Sequence, residues 1–432
     1  MVTPNYRGHW WLPGLPSDVA PGQLVVDESG RCTLELVGSL DLRSAAALEH
    51  ADDPDAKAVR QERVRTIHGL VRGRPVTLLN CFATNMDGFS HHDRSRLDIS
   101  VQEALMGAHV EHDESAFRSA LVEIENLTAW LGFDDQVRRD GDAEAHTAEL
   151  QRLDDLTAEI DGWTITARRT PQPFQSKALH GRATVSSFIA AHLVIHAPDP
   201  RPARDYHSIV LELMDLLTLA AGRPCGQISL TLIHKDDQVT ADRDGSSLTF
   251  ETRVQSLGGR IHTAEPDKAA PDDWDFRFRQ PDLPFEHIVP AWLRLRRRAA
   301  DACNVFFGLG YARPAYTEAR LLLVAVVAEA LGAGLGATGQ KATYRARIRA
   351  LASMPDSEAV ALIMRDVDKW VCELTRARNT LAHTGNDDSE RDIFELEWLT
   401  SSLLTLVLMA QVGMAPEVQR RAASTVLKLP WS

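Results

Sequence analysis

Cysteine is scarce in this sequence and long apolar runs are missing. The five cysteines among 432 residues form no CxxC pair, and an odd, scattered set argues against a disulfide framework or a structural zinc knuckle. The stretch that begins at Met1 has no apolar signal-peptide core. The longest apolar run, 321–331, is far too short for a membrane span and contains Glu329. We therefore expect a cytoplasmic protein with no membrane partner.

Several motifs of common enzymes are also missing. The glycines between 332 and 339 are not followed by GK[ST], and the sequence contains no GxSxG and no HExxH. Two polar runs, 91–93 and 109–113, hold histidines beside acidic residues, but both have the composition of loops. We expect no metal and no cofactor.

Charge is unevenly distributed along the chain. The net charge is −13 overall. Residues 291–432 hold 18 Lys and Arg against 15 Asp and Glu, a net of +3, whereas residues 1–290 hold 29 against 45, a net of −16. A chain of this length is expected to form two or three domains. The charge difference supports two functional regions. The net positive charge of the C-terminal region is too small to indicate nucleic-acid binding by itself.

Residues 1–265 have the pattern of a β-rich region. Short alternating apolar runs are separated by Gly, Pro, Asn and Asp, as strands and turns require. Two segments, 144–160 and 206–221, have helical character instead. The region is one domain or two, with a break near 165–180 in the second case. Residues 266–290, which are rich in Pro and Asp, are the predicted linker.

Residues 291–432 have helical periodicity throughout. The pattern predicts an antiparallel bundle of about five helices, with a short helix at the end. The predicted helices are 292–307, 316–331, 343–352, 358–382, 393–409 and 416–427. The expected fold is therefore α+β and multidomain, with a β-rich N-terminal region followed by an all-α bundle.

The segment Arg378-Asn379-x-x-x-His383 is the strongest candidate for chemistry. Its spacing alone is weak evidence, because Arg63 and His68 repeat it before a β-like run. At 378–383, however, the pair lies near the end of a long helical pattern and a polar loop follows. A histidine at a helix C-terminus has a modestly raised pKa, which suits acid–base chemistry near neutral pH.

This motif, late in a helical bundle, resembles the motif of the HEPN ribonuclease superfamily. Residues 8–14, GHWWLPG, and 21–38, PGQLVVDESGRCTLELVG, resemble the N-terminal domain of ApeA-type anti-phage proteins. The resemblance implies a metal-independent endoribonuclease in which His383 transfers a proton at the RNA 2′-OH or the leaving group. Arg378 then neutralises the phosphate and Asn379 helps to place it.

The same resemblance implies partners. HEPN ribonucleases usually act as dimers whose two motifs face one cleft, so a homodimer through the helical domain is expected. The substrate would be tRNA or another cellular RNA, cut after a phage-derived protein or nucleic acid triggers the enzyme. The N-terminal region would sense that trigger or restrain the nuclease.

Two groups of arginines are candidates for holding RNA phosphates. Both lie on predicted helices of the C-terminal region, and in each case a solvated surface is the alternative. The first group is Arg294, Arg296, Arg297 and Arg298; the second is Arg345 and Arg349. Glu329, inside an apolar run, is expected to be buried with a partner such as an arginine near the active site.

Two other functions stay open from the sequence. A HEPN scaffold that binds RNA or a protein without cutting would carry the same motif, with Arg378 paired to a carboxylate and His383 as a helix cap. A ligand-binding β domain with a helical dimerisation tail would be favoured if Trp10 or Trp11 lined a pocket. These two are adjacent, so in a strand one faces the core and the other does not.

Overall fold

A computed structural model describes most of the chain. It covers residues 5–38, 40–42, 63–86, 96–132, 154–171, 175–179, 182–186, 189–236, 238–240, 248–259, 275–312, 316–336, 341–384 and 393–426, with four isolated residues at 264, 271, 314 and 339. The predicted α+β fold is confirmed, because strands fill the N-terminal region and helices fill the C-terminal one.

Sixteen strands are described, all before residue 259. They are β1 (Asn5–Trp11), β2 (Ala20–Val26), β3 (Cys32–Val37), β4 (Arg63–Val71), β5 (Arg74–Met86), β6 (Arg96–Met106), β7 (Phe117–Ile124), β8 (Leu156–Ile160), β9 (Trp163–Pro171), β10 (Gln175–Leu179), β11 (Arg182–Ser186), β12 (Ile189–Arg201), β13 (Gln227–His234), β14 (Gln238–Thr240), β15 (Leu248–Phe250) and β16 (Arg253–Gly258). β10 with β11, and β14 with β15, form separate hairpins.

The first six strands close into a barrel. They lie in the order β3-β2-β1-β4-β5-β6, and a further pairing of β3 with β6 completes the ring. Alternation along β1 buries Trp10 completely in the barrel core and leaves Trp11 half-buried, as expected for adjacent strand residues. Gly69 makes room for the Trp10 ring, since a Cβ there would lie 2.2 Å from it.

The sheet continues past the barrel. β16 pairs with β6, and the order then runs β16-β13-β7-β12-β9-β8. Two helices among the described residues accompany this part, α1 (Leu127–Trp130) and α2 (Ala203–Ala221). The predicted helix at 206–221 is confirmed. The one predicted at 144–160 is wrong over Leu156–Ile160, where alternate burial and pairing with β9 make a strand; residues 144–153 lie outside the described residues.

Eight helices are described after residue 284. They are α3 (Phe285–Arg298), α4 (Ala300–Ala312), α5 (Thr317–Gly334), α6 (Tyr344–Ala352), α7 (Ser357–Ile363), α8 (Val367–Thr384), α9 (Ile393–Gln411) and α10 (Pro416–Val426). The count exceeds the six predicted ranges because two of those helices are each divided in the structure. Ala299 separates α3 from α4, and Met364, in an extended conformation, ends α7 before α8 begins.

The helices share a core with the second half of the sheet. Phe276 and Phe278 are buried there, and the Trp292 indole donates a hydrogen bond of 2.6 Å to the Glu212 carbonyl on α2. Residues 276–290, within the predicted linker, are therefore packed rather than free, and α3 begins among them. How the chain divides into domains stays a prediction.

Among the described residues, α9 is the one helix long and apolar enough to cross a membrane by length and composition. However, 61% of its apolar stretch is buried inside the protein. Its main contacts are with α5, α7 and α10. Burial of this kind is typical of a helix in the core of a folded domain.

Candidate active site

Helix α8 carries the motif, and the packing of its buried face determines which way the motif residues are oriented. Trp370, Leu374, Ala377 and Leu381 are buried against the bundle. The Trp370 indole donates a hydrogen bond of 3.0 Å to the Thr400 hydroxyl on α9. Because these residues set the rotation of α8 about its axis, Arg378 is half-buried and Asn379 is exposed.

Arg378 lies between a carboxylate and an aromatic ring. Its guanidinium is 3.6 Å from the Glu329 carboxylate of α5 and 5.4 Å from the centre of the Tyr344 ring of α6. It also donates a hydrogen bond of 3.1 Å to the Asn379 side-chain oxygen. Three helices therefore position one guanidinium, and Asn379 accepts a hydrogen bond from it; the predicted role of Asn379 in placing a phosphate stays a prediction.

Glu329 is shared by two arginines. Its other carboxylate oxygen is 3.3 Å from the Arg347 guanidinium on α6. The expected pairing of Glu329 with an arginine at the site is confirmed, but the carboxylate is 30% exposed rather than buried. The cluster of Arg378, Arg347 and Glu329 thus carries a net charge of +1 at the protein surface.

Tyr344 is a neutral support for this cluster. Its hydroxyl donates a hydrogen bond of 3.3 Å to the Ala325 carbonyl. Burial raises the pKa of Tyr344 because the phenolate would lose its hydration, although the nearby Arg378 acts in the opposite direction. The ring face is therefore available to the guanidinium as a cation–π partner at physiological pH.

His383 lies in the last turn of α8, which stays helical through Thr384. The described residues do not include its side chain. On an ideal helix, residues five apart leave the axis about 140° from one another. The helix is described two residues beyond the predicted end at 382, and a regular helix directs Arg378 and His383 of one chain toward different sides. Residues 385–388 of the predicted loop lie outside the described residues.

The first arginine group is not a cationic strip. Arg296 is 4% exposed and its guanidinium contacts Asp215 at 2.8 Å and the Asn304 side-chain oxygen at 2.6 Å. The prediction that Arg296 binds RNA is therefore wrong. The helical period carried the missed signal, because Arg296 lies one turn after Trp292 on the face that α3 buries.

The other candidate arginines differ in their exposure and in the contacts that their side chains make. Arg297 contacts Asp161 at 2.8 Å and Glu212 at 3.3 Å, and Arg298 donates to the Gly334 carbonyl at 3.0 Å. Arg294 is exposed. In the second group Arg345 is exposed, whereas Arg349 makes two hydrogen bonds to Asp368, of 3.0 and 2.6 Å. RNA binding stays a prediction for these five arginines.

The histidine-rich runs make other contacts where they are described. The His109 ring donates to the Gly69 carbonyl at 2.8 Å and stacks on His68, with ring centres 4.6 Å apart. His68 itself lies in β4, so the Arg63 and His68 pair is on a strand. Residues 91–93 lie outside the described residues. In the part of the chain described, no three His, Cys, Asp or Glu side chains are grouped to hold a metal.

Comparison with known families matches both parts of the chain. The family described as ApeA N-terminal domain 1 matches residues 5–292, which is more than half of the chain. The Apea-like HEPN family matches residues 327–418, which include Glu329, Tyr344 and the motif at 378–383. No curated protein and no solved structure matches.

These matches define the class of the protein: a β-rich N-terminal region joined to a HEPN helical domain. The chain belongs to the ApeA family. The resemblance noted from residues 8–38 and 378–383 is confirmed. HEPN domains are generally ribonucleases that dimerise and bind RNA, and the family is associated with anti-phage defence.

Proposed function

We propose that this chain is a metal-independent endoribonuclease of anti-phage defence that cuts tRNA or another cellular RNA. The observation that carries the proposal is the Arg378 cluster within the matched HEPN segment. A half-exposed guanidinium, oriented by Glu329, Tyr344 and Asn379, lies on the helix whose last described turn contains His383. Arg suits a phosphate because its planar fork is always charged.

The reaction needs only proton transfer and charge stabilisation, since RNA supplies its own nucleophile. The 2′-oxygen forms a bond to phosphorus as its proton passes to a base, and the bond to the 5′-oxygen breaks as that oxygen gains a proton. His383 fills one or both proton-transfer roles, worth roughly 10²–10⁴-fold. Arg378 offsets the charge on the phosphate, and the products end in a 2′,3′-cyclic phosphate and a 5′-hydroxyl.

The exposed face of α5 supports a homodimer. Six apolar residues at alternating spacings of three and four are all exposed, five along this helix and one at the residue before it. They are Tyr316, Ala319, Leu323, Val326, Ala330 and Ala333, and we call them the apolar seam. The opposite face of α5 is buried, so the helix has apolar side chains on two opposite faces, with the charged residues Glu318, Arg320 and Glu329 between them. An apolar face of a helix is normally covered, and the 3-4 spacing is that of a helix–helix contact.

The apolar seam is complementary to a second, antiparallel copy of itself. A twofold axis between Leu323 and Val326 places Tyr316 opposite Ala333, Ala319 opposite Ala330 and Leu323 opposite Val326. Leu323 and Val326 then form the apolar centre of the contact, the two alanines allow close approach on either side, and Tyr316 packs on Ala333 at each end, so the same surface is used by both copies, as an isologous interface requires. A second copy of this chain is thus the occupant that fits the seam.

That arrangement also brings two candidate sites together. A twofold axis perpendicular to paired antiparallel helices keeps equivalent side faces on one side of the pair. The two Glu329 positions are then offset by about 14 Å along the helices, from nine residues at 1.5 Å each. Both Arg378 clusters would border one groove, where Arg378 and His383 from different copies can meet. The divergence of these residues on one helix favours such a composite site.

A catalytically inactive HEPN scaffold is the second candidate. One observation favours it: the Arg378 guanidinium already has a carboxylate partner, as a structural arginine would. In that case the protein binds RNA or a partner protein through the same surface without cutting.

Cleavage of total cellular RNA in the presence of EDTA distinguishes the two. Wild type, tested at rest and when co-expressed with phage genes, is compared with His383→Ala and Arg378→Ala. Arg376→Ala is the matched control, because Arg376 is exposed on the same helix. We expect cutting that survives EDTA, leaves cyclic phosphate ends and falls by about 10²–10⁴-fold in the first two variants. RNA binding with no cutting under either condition would establish the scaffold.

A further inference from the structure

A groove crosses the outer face of the barrel. Strands β1, β2, β3 and β4 and the turn after β4 contribute most of its lining, and its volume is about 720 Å³. Most of the lining residues are exposed, whereas a small-molecule pocket surrounds most of its ligand. An open groove of this kind suits a segment of a larger molecule that lies across the surface. We call it the barrel groove.

Two arginines of the barrel groove have no counterion. Arg7 on β1 and Arg72 after β4 are exposed, and neither side chain makes an ion pair or a hydrogen bond within the part of the chain described. His9 pairs with Leu70 in antiparallel strands, so Arg7 and Arg72, each two residues further along, occupy neighbouring positions on the outer face. Like charges at neighbouring positions repel each other, and an anionic group bound between them would relieve that repulsion.

One carboxylate lines the groove among the described residues, and it already has partners. Glu35 on β3 accepts a hydrogen bond of 2.7 Å from the Gln23 side chain and lies 3.2 Å from the Arg96 guanidinium. Its charge is therefore offset by Arg96, and the charges of Arg7 and Arg72 are left over. This contrasts with residues 1–290 as a whole, which hold 29 Lys and Arg against 45 Asp and Glu. A partner with carboxylate groups is electrostatically complementary to this site.

The turn that carries Arg72 has an unusual residue for its conformation. Val71 pairs with Arg74, so Arg72 and Gly73 alone form the turn between β4 and β5. Their φ angles of 49° and 78° belong to a turn for which Asn-Gly is the preferred sequence, because Asn tolerates a positive φ better than Arg does. The turn itself therefore does not account for an arginine here, whereas a need for positive charge in the groove does.

Exposed aliphatic side chains adjoin these charges. Leu70 is 43% exposed and Val37 is 53% exposed, and both line the barrel groove. Among the described lining residues, His9 has the one aromatic ring, so successive nucleobases would find no stacking platform. Arginine is enriched where proteins dock, and exposed apolar side chains mark such surfaces. The composition of the groove thus favours a protein over RNA.

We propose that the barrel groove docks an acidic segment of a partner protein. Arg7 and Arg72 bind carboxylates of that segment, and Leu70 and Val37 contact its apolar side chains. The docking surface lies on the barrel, on a different part of the chain from the Arg378 cluster. Control of RNA cleavage by the docked segment rests on the proposed function; docking itself does not.

Selection from a library of random peptides displayed on phage, with the full-length protein as bait, tests the proposal. A double variant, Arg7→Gln with Arg72→Asn, is used for counter-selection. We expect wild type to enrich peptides that combine Asp or Glu with Leu, Ile, Val or Phe. The most enriched peptide, synthesised with a fluorescent label, should bind wild type in anisotropy with a Kd below about 100 μM. The double variant should bind it about tenfold more weakly or worse.

Arg72→Asn alone separates binding from folding. Because Asn suits a positive φ, this variant should melt no lower than wild type while it weakens peptide binding by about threefold. Leu70→Ser should also weaken binding, whereas Ile228→Ser, at a position on β13 that is 48% exposed, should not. Arg63→Gln controls for the loss of a positive charge, since Arg63 is exposed on β4 but does not line the groove.

Three results would overturn the proposal. Wild type could enrich no peptide over the double variant, or the enriched peptides could lack acidic residues. The selected peptide could also bind wild type and the double variant equally. Loss of single-stranded RNA binding in the double variant, with no peptide selected, would assign the groove to nucleic acid instead. RNA cleavage is not the readout, so a failure here is separate from a failure of the nuclease.

Discussion

Glu329 limits the positive charge of the Arg378 cluster, and under the proposed function this limits the charge available to an RNA phosphate. It contacts both Arg378 and Arg347, so a phosphate that approaches Arg378 must compete with a carboxylate already there. The same contact orients the Arg378 guanidinium, which lies between Glu329 and Tyr344. Glu329 would therefore weaken the affinity of Arg378 for a phosphate while it holds the guanidinium in place, and substitution can separate these two effects.

We predict that Glu329→Gln strengthens RNA binding and steepens its dependence on salt. Removal of the carboxylate frees one cationic contact, and each phosphate contact adds about 0.7–0.9 to the slope of log K against log salt. Fluorescence anisotropy with a single-stranded RNA measures both quantities. Glu358→Gln, on α7 beside Arg420, is the control and should leave the slope unchanged. An unchanged slope in Glu329→Gln would mean that Arg378 does not contact phosphate.

At the scale of elements, Arg296 joins α3 to α2. Its ion pair with Asp215 lies beside Tyr311, whose hydroxyl donates to the same carboxylate at 2.7 Å. Glu212 and Trp292 make a second link one turn away. The helical bundle is thus attached to the sheet layer through a buried polar cluster.

Loss of Arg296 should destabilise the protein rather than weaken RNA binding. Removing one partner of a buried pair typically costs about 3–5 kcal/mol, so we expect that loss for Arg296→Ser in urea denaturation. Arg294→Ser, on the exposed side of the same helix, should stay within about 0.5 kcal/mol of wild type. A stable Arg296→Ser protein with impaired RNA binding would contradict this assignment and restore the original interpretation of the arginine group.

Some helices and strands could be predicted from the sequence, and others could not. Periodicity located α2, α5, α6 and α9 closely, and the adjacent tryptophans correctly placed one ring in the core. The break at Ala299 was missed because no glycine or proline marks it; the Arg296 guanidinium bonds the Ala300 carbonyl across the junction. β8 was missed because its five residues are held by pairing with β9, which no local pattern reports. The motif was readable, but the position of Glu329 and Tyr344 around Arg378 depends on tertiary packing.

At the scale of the whole molecule, one polar contact joins the barrel, the second half of the sheet and α2. The Glu103 carboxylate of β6 accepts a hydrogen bond of 2.6 Å from the His207 ring on α2 and one of 2.8 Å from the Ser256 hydroxyl on β16. Burial opposes protonation of the ring, but the attraction of Glu103 outweighs it and raises the pKa of His207 above its ordinary value.

This contact should make stability depend on pH. A raised folded-state pKa means that His207 contributes stability below its unfolded pKa, near 6.5, and that this contribution is lost as pH rises through the folded value. We expect wild type to lose more stability than His207→Gln between pH 6 and pH 8.5 in urea denaturation. His287→Gln, at an exposed site on α3, should behave like wild type. Equal pH dependence in all three proteins would exclude the role.

In the proposed dimer, assembly and catalysis both depend on the apolar seam. If α5 pairs with its copy, a charge at the centre of the seam would face apolar side chains and leave an unpaired buried charge, which strongly disfavours association. We predict that Val326→Glu gives a monomer in sedimentation velocity and loses RNA cleavage as completely as His383→Ala.

Leu362→Glu is the matched control for the seam. Leu362 is 46% exposed on α7 and Val326 is 43% exposed, so the two substitutions are similar in exposure and chemistry but only one lies on the seam. The control should remain a dimer and stay active. A Val326→Glu monomer that still cuts RNA would show that one chain holds a complete site, and the divergence of Arg378 and His383 on α8 would then need a different geometry near Thr384 to bring them together.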